Sequence, residues 1–335
     1  MKSLAVFSMG ISRNSAPGTA SAPFSVMVAK EATDHIRSWR FIVLLALIIL
    51  TFFGALYVSF SNIKAAVSNV QDPESVFLYL KLLTTSDGTM PPFHVFLNFL
   101  GPLLGIALGF DAINSEQNNG TLIRVMAQPI YRDNLILAKF VSALIIVSYL
   151  FSALALLMIG AGVFLTGVLI EPAEILRILG FVLISVVYVG FWLSLSILFS
   201  IVFRQTATSA LTSIGVWLFF TVFYQIAISL VVKALLPNQP VLTELAVTRY
   251  NELIFNLLRL APSQLYSDAT TTLLMPSVRS LGPLTMEQMA GAIPSVLPFK
   301  ESLMVVWPQV SGLLAATVFC FAMSYYLFMR REIRS

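Results

Sequence analysis

The chain has 335 residues, of which 58% are hydrophobic and only 11% charged, and its mean hydropathy is +0.87. A soluble domain carries about a quarter charged residues, so too few remain here to solvate a globular surface, and the bilayer must be the main solvent. The net charge of +4 comes from basic residues at the ends of apolar runs, which is not the clustered footprint that nucleic acid requires, and one cysteine, Cys320, cannot build a disulfide framework.

In chain order, residues 1–23 contain SRNSAPGTASAP and read as a flexible cytoplasmic tail. A signal peptide is disfavoured because the apolar run in MKSLAVFSMG is weak and Arg13 follows closely. Residues 24–40 form a two-faced helix. Phe24, Val28, Ala32, Ile36 and Trp39 share one face, and Lys30, Asp34 and Arg37 share the other. Such a helix lies in the headgroup layer or extends the first span, the continuous charged face favouring the former, and His35 in it is expected to be solvated or interfacial.

Six apolar runs are long enough to cross a bilayer at about 1.5 Å per residue. They cover residues 41–60, 91–110, 140–170, 178–203, 205–232 and 302–329. An even number puts both termini on one side. With the termini inside, the cytoplasmic face holds 12 of the 20 Lys and Arg residues and six of the 16 acids, a balance of +6 against −2 outside. The positive-inside rule therefore favours cytoplasmic termini in the cell membrane.

Residues 61–90 make a polar outer loop, and His94 after it reads as interfacial. The spans contain no Asp or Glu, which weighs against an ion-coupled carrier. Asn98, Tyr149, Tyr224, Gln225 and Gln309 inside them read first as interhelical hydrogen-bonding groups. In the outer segment 233–301, Leu242, Leu245, Leu253, Ile254, Leu257 and Leu258 recur at helical spacing. This pattern predicts an amphipathic helix stopped by Pro262, then loop-forming sequence in SDATTTLLMPSVRSLGPLT. The segment is sized for a small helical cap.

The polar stretch 111–134 between the second and third spans has its own design. Asp111 to Asn119 can continue the second span as a polar helix until Gly120 adopts the left-handed conformation. Thr121 is then a candidate N-cap for a short helix, LIRVMAQ, in which Leu122, Val125 and Met126 share an exposed apolar face. Pro129 ends it, and Asp133 is a candidate cap for the third span. Arg124 and Arg132 frame the apolar face. Such a helix docks on another protein or lies on lipid. No H-E-x-x-H, G-x-S-x-G or phosphate-loop motif occurs anywhere, so neither a catalytic nor a metal site is expected.

DAINSEQNNGTLIRVMAQPIYRDNLILAKF resembles the intracellular loop of ABC-type export permeases, the type-2 ABC membrane-subunit family. That family has an acid ending the second span, then Glu, Gly-Thr-Leu, a basic residue, Pro, Arg and Lys. Here those positions are Asp111, Glu116, Gly120, Thr121, Leu122, Arg124, Pro129, Arg132 and Lys139. AKEATDHIRSWRF, FDAINSE and YYLFMRREIRS fit as well, and the sequence is most similar to the multicopper-enzyme-maturation permease branch. One departure is the uncharged Gln117–Asn118–Asn119 after the glutamate.

The resemblance implies an all-α, polytopic protein. It would have six transmembrane helices, the in-plane amphipathic helix at 24–40, and a permease domain over 41–335. The helical outer segment would sit between spans five and six. It implies a permease subunit of an ATP-driven exporter, paired with an ABC ATPase and a second permease copy. ATP and Mg would be bound by the ATPase and no cofactor by this chain. Glu116, Gly120, Thr121, Leu122, Arg124, Met126, Pro129 and Arg132 would form the coupling element. Asn98, Tyr224 and Gln225, on spans two and five, would line the pathway. The competing readings are a membrane anchor or assembly factor for an outer-face enzyme, docking through 233–301, and an ion-coupled carrier.

Overall fold

The computed structural model describes residues 23–67, 77–86, 88, 90–126, 131–235, 254, 256–276 and 297–330. Among them the regular structure is entirely helical. Helix α1 spans Pro23–Arg37, α2 Trp39–Val67, α3 Leu78–Thr84, α4 Phe93–Gly109, α5 Asn114–Asn118, α6 Thr121–Met126 and α7 Arg132–Thr166. Helix α8 follows at Pro172–Val202 and α9 at Thr206–Leu218, which a π-helical turn at Phe219–Phe223 joins to α10, Tyr224–Leu235. The last two are α11, Pro262–Leu274, and α12, Phe299–Arg330.

Among the described residues, six segments have the length and apolarity to cross a membrane: Trp39–Asn62, Phe93–Asn118, Arg132–Thr166, Pro172–Val202, Thr206–Val231 and Phe299–Arg330. These are the six apolar runs, extended at most ends by polar turns. The extension matters at α8, which starts at Pro172 in the first turn and so takes Glu174 and Arg177 into the helix, where both are buried. Charged groups thus lie nearer the spans than hydropathy indicates.

The hydrophobic core draws on α2, α3, α4, α7, α8, α11 and α12, and α4 and α8 are its most buried spans. In both, 61% of the apolar window is buried, against 11% in the fifth span. Gly101, Gly105 and Gly109 recur every fourth residue along α4 and let the backbones touch. A Cβ on Gly105 would lie 2.6 Å from the Val189 carbonyl oxygen, and one on Gly109 2.9 Å from that of Leu193. Without a hydrophobic force between helices in lipid, such close backbone approach supplies the dispersion contact. At the far end, Tyr79 of α3 packs on Gly162 of α7, and Glu174 accepts the backbone N–H of Tyr79 at 2.8 Å.

The outer segment departs from the sequence expectation. Residues 236–253, with most of the expected amphipathic helix, lie outside the described residues, as do 277–296. Residues 254 and 256–258 are helical and 259–260 turn, so a helix ends ahead of Pro262 as expected, and Pro262 itself starts the next one because its missing N–H and fixed φ suit the first helical turn. The loop-forming serine and threonines that follow stay helical. Thr270 and Thr272 hydroxyls donate back to the carbonyls of Tyr266 and Asp268 at 2.8 and 2.9 Å.

Nor is α11 a cap above the spans. Tyr266 stacks on Tyr188 with centroids 4.3 Å apart and planes 9° apart, and its hydroxyl meets Ser185 Oγ at 2.9 Å. Tyr188 sits halfway along α8, about 16 Å from Arg177 at the helical rise, while Leu273 of α11 accepts a bond from Arg177. Helix α11 therefore runs from the end of the bundle to its middle.

The expectation for His94 fails, whereas His35 is half-buried beside an open cleft. His94 is buried, with Nδ1 3.0 Å from the Leu83 carbonyl oxygen, because α3 folds against α4. His35 turns toward α7, where its Nε2 is buried without a hydrogen-bond partner.

Candidate functional site: the pinned loop between the second and third spans

Helix α4 ends at Gly109 and turns through Phe110–Ile113 before α5 begins. The buried N–H groups of Ile113 and Asn114 donate to Ser200 Oγ at 2.9 and 3.2 Å, so a hydroxyl of α8 holds the start of α5. The side-chain amide of Asn118 donates to the Arg204 carbonyl at 3.0 Å. The uncharged segment that departs from the resemblance thus ties the loop to the α8–α9 turn through an amide donor, which a carboxylate could not supply.

Gly120 has φ +65° and ends α5 as expected, since a side chain there would be strained. Thr121 does not cap α6. It is the first helical residue, and its hydroxyl donates back to the Glu116 carbonyl at 3.2 Å. Leu122 is turned inward at 3% exposure and belongs to the core, so the exposed knob is not formed by it. Ile123 is the apolar residue that faces out, at 47%. A one-residue step rotates a helix by about 100°, and tertiary packing rather than the apolar pattern chose which residue turned in. The side chains of Arg124 and Met126, and residue Pro129, lie outside the described residues. Arg132 begins α7 and is exposed. Tyr131 precedes it at the N-cap position, and Asp133 reaches only the N–H of Asn134, so Asp133 is not the expected cap.

Beneath the loop lies a buried ion cluster. Lys139 Nζ donates to Glu31 Oε2 at 2.8 Å and to Glu116 Oε1 at 2.7 Å, with side-chain exposures of 6%, 8% and 15%. Lys30 bonds the other Glu31 oxygen at 2.9 Å, and Arg40 bonds Asp111 at 2.7 Å while covering the Phe110 ring. One lysine therefore joins α1, α5 and α7. Burial alone would push the Glu31 carboxyl up, but the Lys139 ammonium and the bonds from Lys139 and Lys30 hold it below the usual carboxylate range. Burial, reinforced by the Lys139 charge, pushes His35 down, so it stays neutral. These groups line an open cleft of about 350 Å³ between α1 and the loop.

Asp111, Glu116 and Lys139 belong to the loop motif, whereas nothing in that motif points to Glu31 or Arg40. A signal for Glu31 existed. On a helical wheel it falls beside Phe24 and Val28, among the apolar residues of α1, where a carboxylate needs a buried partner. Of the pathway candidates, Asn98 accepts the Tyr188 hydroxyl through both its carbonyl oxygens at 3.0 Å, and Tyr224 donates to the Leu257 carbonyl at 2.7 Å. Gln225 is exposed. The structure gives Asn98 and Tyr224 separate partners and does not unite the three.

Six membrane-crossing helices around a tight α4–α8 seam, with a short surface helix rooted in a buried ion cluster, are the architecture of a multi-pass transporter subunit. Residues 26–333 match the family described as ABC-2 family transporter protein, and the chain belongs to that family. It is 27% identical over 296 residues to the probable ABC transporter permease protein NosY of Stutzerimonas stutzeri, covering 87% of this chain and 95% of that one. The protein of the same name from Pseudomonas aeruginosa is 29% identical over 151 residues, 43% of this chain and 53% of that one. The chain is a membrane permease subunit, and its family implies an ATPase partner.

Proposed function

We propose that this subunit forms the translocation pathway of an ATP-driven exporter in the cell membrane and receives the work of ATP hydrolysis through residues 116–132. The observation that carries this reading is the two-sided setting of α6. Leu122 roots it in the core, Ile123 faces outward, and Glu116 just before it bonds Lys139 of the third span. A push on the exposed side is passed to α7 and α1 through bonds that are buried and short.

In this reading both termini are cytoplasmic, two permease chains assemble with two ATPases, and ATP and Mg sit on the ATPases. Glu116, Gly120, Thr121 and Leu122 shape and anchor the coupling helix, while Arg124, Met126, Pro129 and Arg132 complete its docking side. Asn98, Tyr224 and Gln225 face the pathway between the two permease copies. The cargo is hydrophobic or amphipathic.

The test is copurification of the full chain with an ABC ATPase of roughly 30 kDa, the size of a phosphate-loop domain with extensions. Ile123→Asp and Arg124→Glu should each release the ATPase while leaving the thermal melt of the permease unchanged. Full retention of the ATPase by both variants would refute the docking role.

A further inference from the structure

Arg204 is the sole charged residue of the sequence between Arg177 and Lys233, and it lies in the turn 203–205 that joins α8 to α9. Arg204 and Gln205 are both exposed. The turn is fastened to the loop at two levels. The Asn118 amide donates to the Arg204 carbonyl, and Ser200 in the last turn of α8 accepts the N–H groups of Ile113 and Asn114. Ser200 and Asn114 are 0% exposed, so the deeper attachment is closed to water. The turn and α5 therefore make one continuous surface, on which Asn119, Gly120 and Ile123 are also exposed.

A lone arginine in a short turn between spans fits the positive-inside bias. That bias asks only for charge on one side of the membrane. It gives no reason for the backbone of the turn to be bonded to the loop.

Interface size supplies one. A stable protein–protein interface takes about 800 Å² and roughly 20–30 residues from each partner. Helix α6 has six residues, and Leu122 among them is turned into the core. The ATPase that the family implies must therefore cover neighbouring surface as well, and the turn 203–205 is bonded to the loop on which α6 stands. Its chemistry selects the contact. A guanidinium presents its donors in a planar fork that matches a carboxylate. At the rim of an interface such a pair sets register and association rate more than affinity, and salt weakens it.

We propose that the turn 203–205 is the second half of the ATPase-docking surface, with Arg204 taking a carboxylate of the ATPase and Gln205 lying against the same partner. Movement of the ATPase is then passed directly to α8 and α9 as well as to α7. This assignment rests on the reading of residues 116–132 as the coupling element.

The test uses the full chain in lipid nanodiscs and its ABC ATPase, with binding measured at low and high salt. Arg204→Glu should weaken binding about tenfold at low salt and less at high salt. Arg204→Lys, which keeps the charge that governs insertion, should weaken it about twofold to threefold through loss of the fork. Lysine in place of one surface Asp or Glu of the ATPase should restore the affinity of Arg204→Glu. A second measurement leaves Arg204 intact. A benzophenone maleimide on Gln205→Cys, in a Cys320→Ala background, should photo-cross-link to the ATPase. The same probe on Leu169→Cys, which is 80% exposed in the α7–α8 connection at the opposite end of the bundle, should not. Wild-type affinity of Arg204→Glu, or a Gln205→Cys cross-link no stronger than that of Leu169→Cys, overturns the proposal. Where Arg204→Glu fails to fold, the cross-link decides alone. Release of the ATPase by Ile123→Asp with wild-type binding by Arg204→Glu refutes the second contact and keeps the coupling loop. Weakened binding in Arg204→Glu alone keeps the turn as a docking site and refutes the loop, and failure of the ATPase to bind the wild-type chain refutes both.

Discussion

Lys139 of the third span reaches Glu31 of α1 at 2.8 Å across 108 positions of sequence. The same nitrogen meets Glu116 at 2.7 Å, so the lysine is shared between an N-terminal element and the loop that follows the second span. Removing one partner of a buried pair leaves an uncompensated charge and costs about 3–5 kcal/mol. Lys139→Met, which leaves two carboxylates facing each other, should lower thermal stability by that order and expose α1 to proteolysis. Adding Glu31→Gln and Glu116→Gln should restore much of the loss. A melt of Lys139→Met that matches wild type would show the cluster to be energetically idle.

The same cluster makes stability depend on pH, with a sign that can be derived. His35 and Glu31 both titrate lower in the fold than in the unfolded chain. In each window the unfolded state binds more protons, so stability is present at higher pH and lost as pH falls. The His35 contribution should decline once pH drops below about 6.5, and the Glu31 contribution below about 4.3, their ordinary values. His35→Gln should flatten the melt-temperature profile between neutral pH and about 5 while leaving the acid limb, and Glu31→Gln should blunt the acid limb. A profile unchanged by His35→Gln would remove the histidine from this account.

Two glycines should respond to alanine in opposite directions. Gly105→Ala drives a methyl against the Val189 carbonyl at 2.6 Å between backbones that cannot yield. The expected destabilisation is about 1–3 kcal/mol by overpacking. Gly160 of α7 faces open space, with no atom within 4 Å of the point a Cβ would occupy, so Gly160→Ala should stabilise by about 0.5–1 kcal/mol through helix propensity. Denaturation in detergent of the two variants side by side measures the contrast.

At the loop, Gly120→Ala should cost about 1–2 kcal/mol because φ is +65°, and Gly120→Asn less, since asparagine tolerates that region. Asn118→Asp removes the amide that donates to the Arg204 carbonyl and sets two oxygens against each other. Faster hydrogen exchange over 113–121 than in wild type is the expected result. Unchanged exchange would mean that the Asn118 contact does not hold the loop.

Apolar run length and residue type were enough to read six spans, a helix ahead of the first and the glycine-bounded loop, because lipid imposes a length and the left-handed turn imposes a residue. The loop motif likewise gave Asp111, Glu116 and Lys139. Other features depended on partners distant in sequence. Leu122 against Ile123 is a choice of rotation made by the core. Glu31 is meaningful only beside Lys139, and Arg177 only where α11 and α12 meet it. The glycines of α4 form a seam only through the approach of α8 to within contact of Gly105. Composition and periodicity determined which segments enter the membrane. Tertiary structure alone decided which charges are buried together, since a buried charge is tolerated only through the particular groups that solvate it.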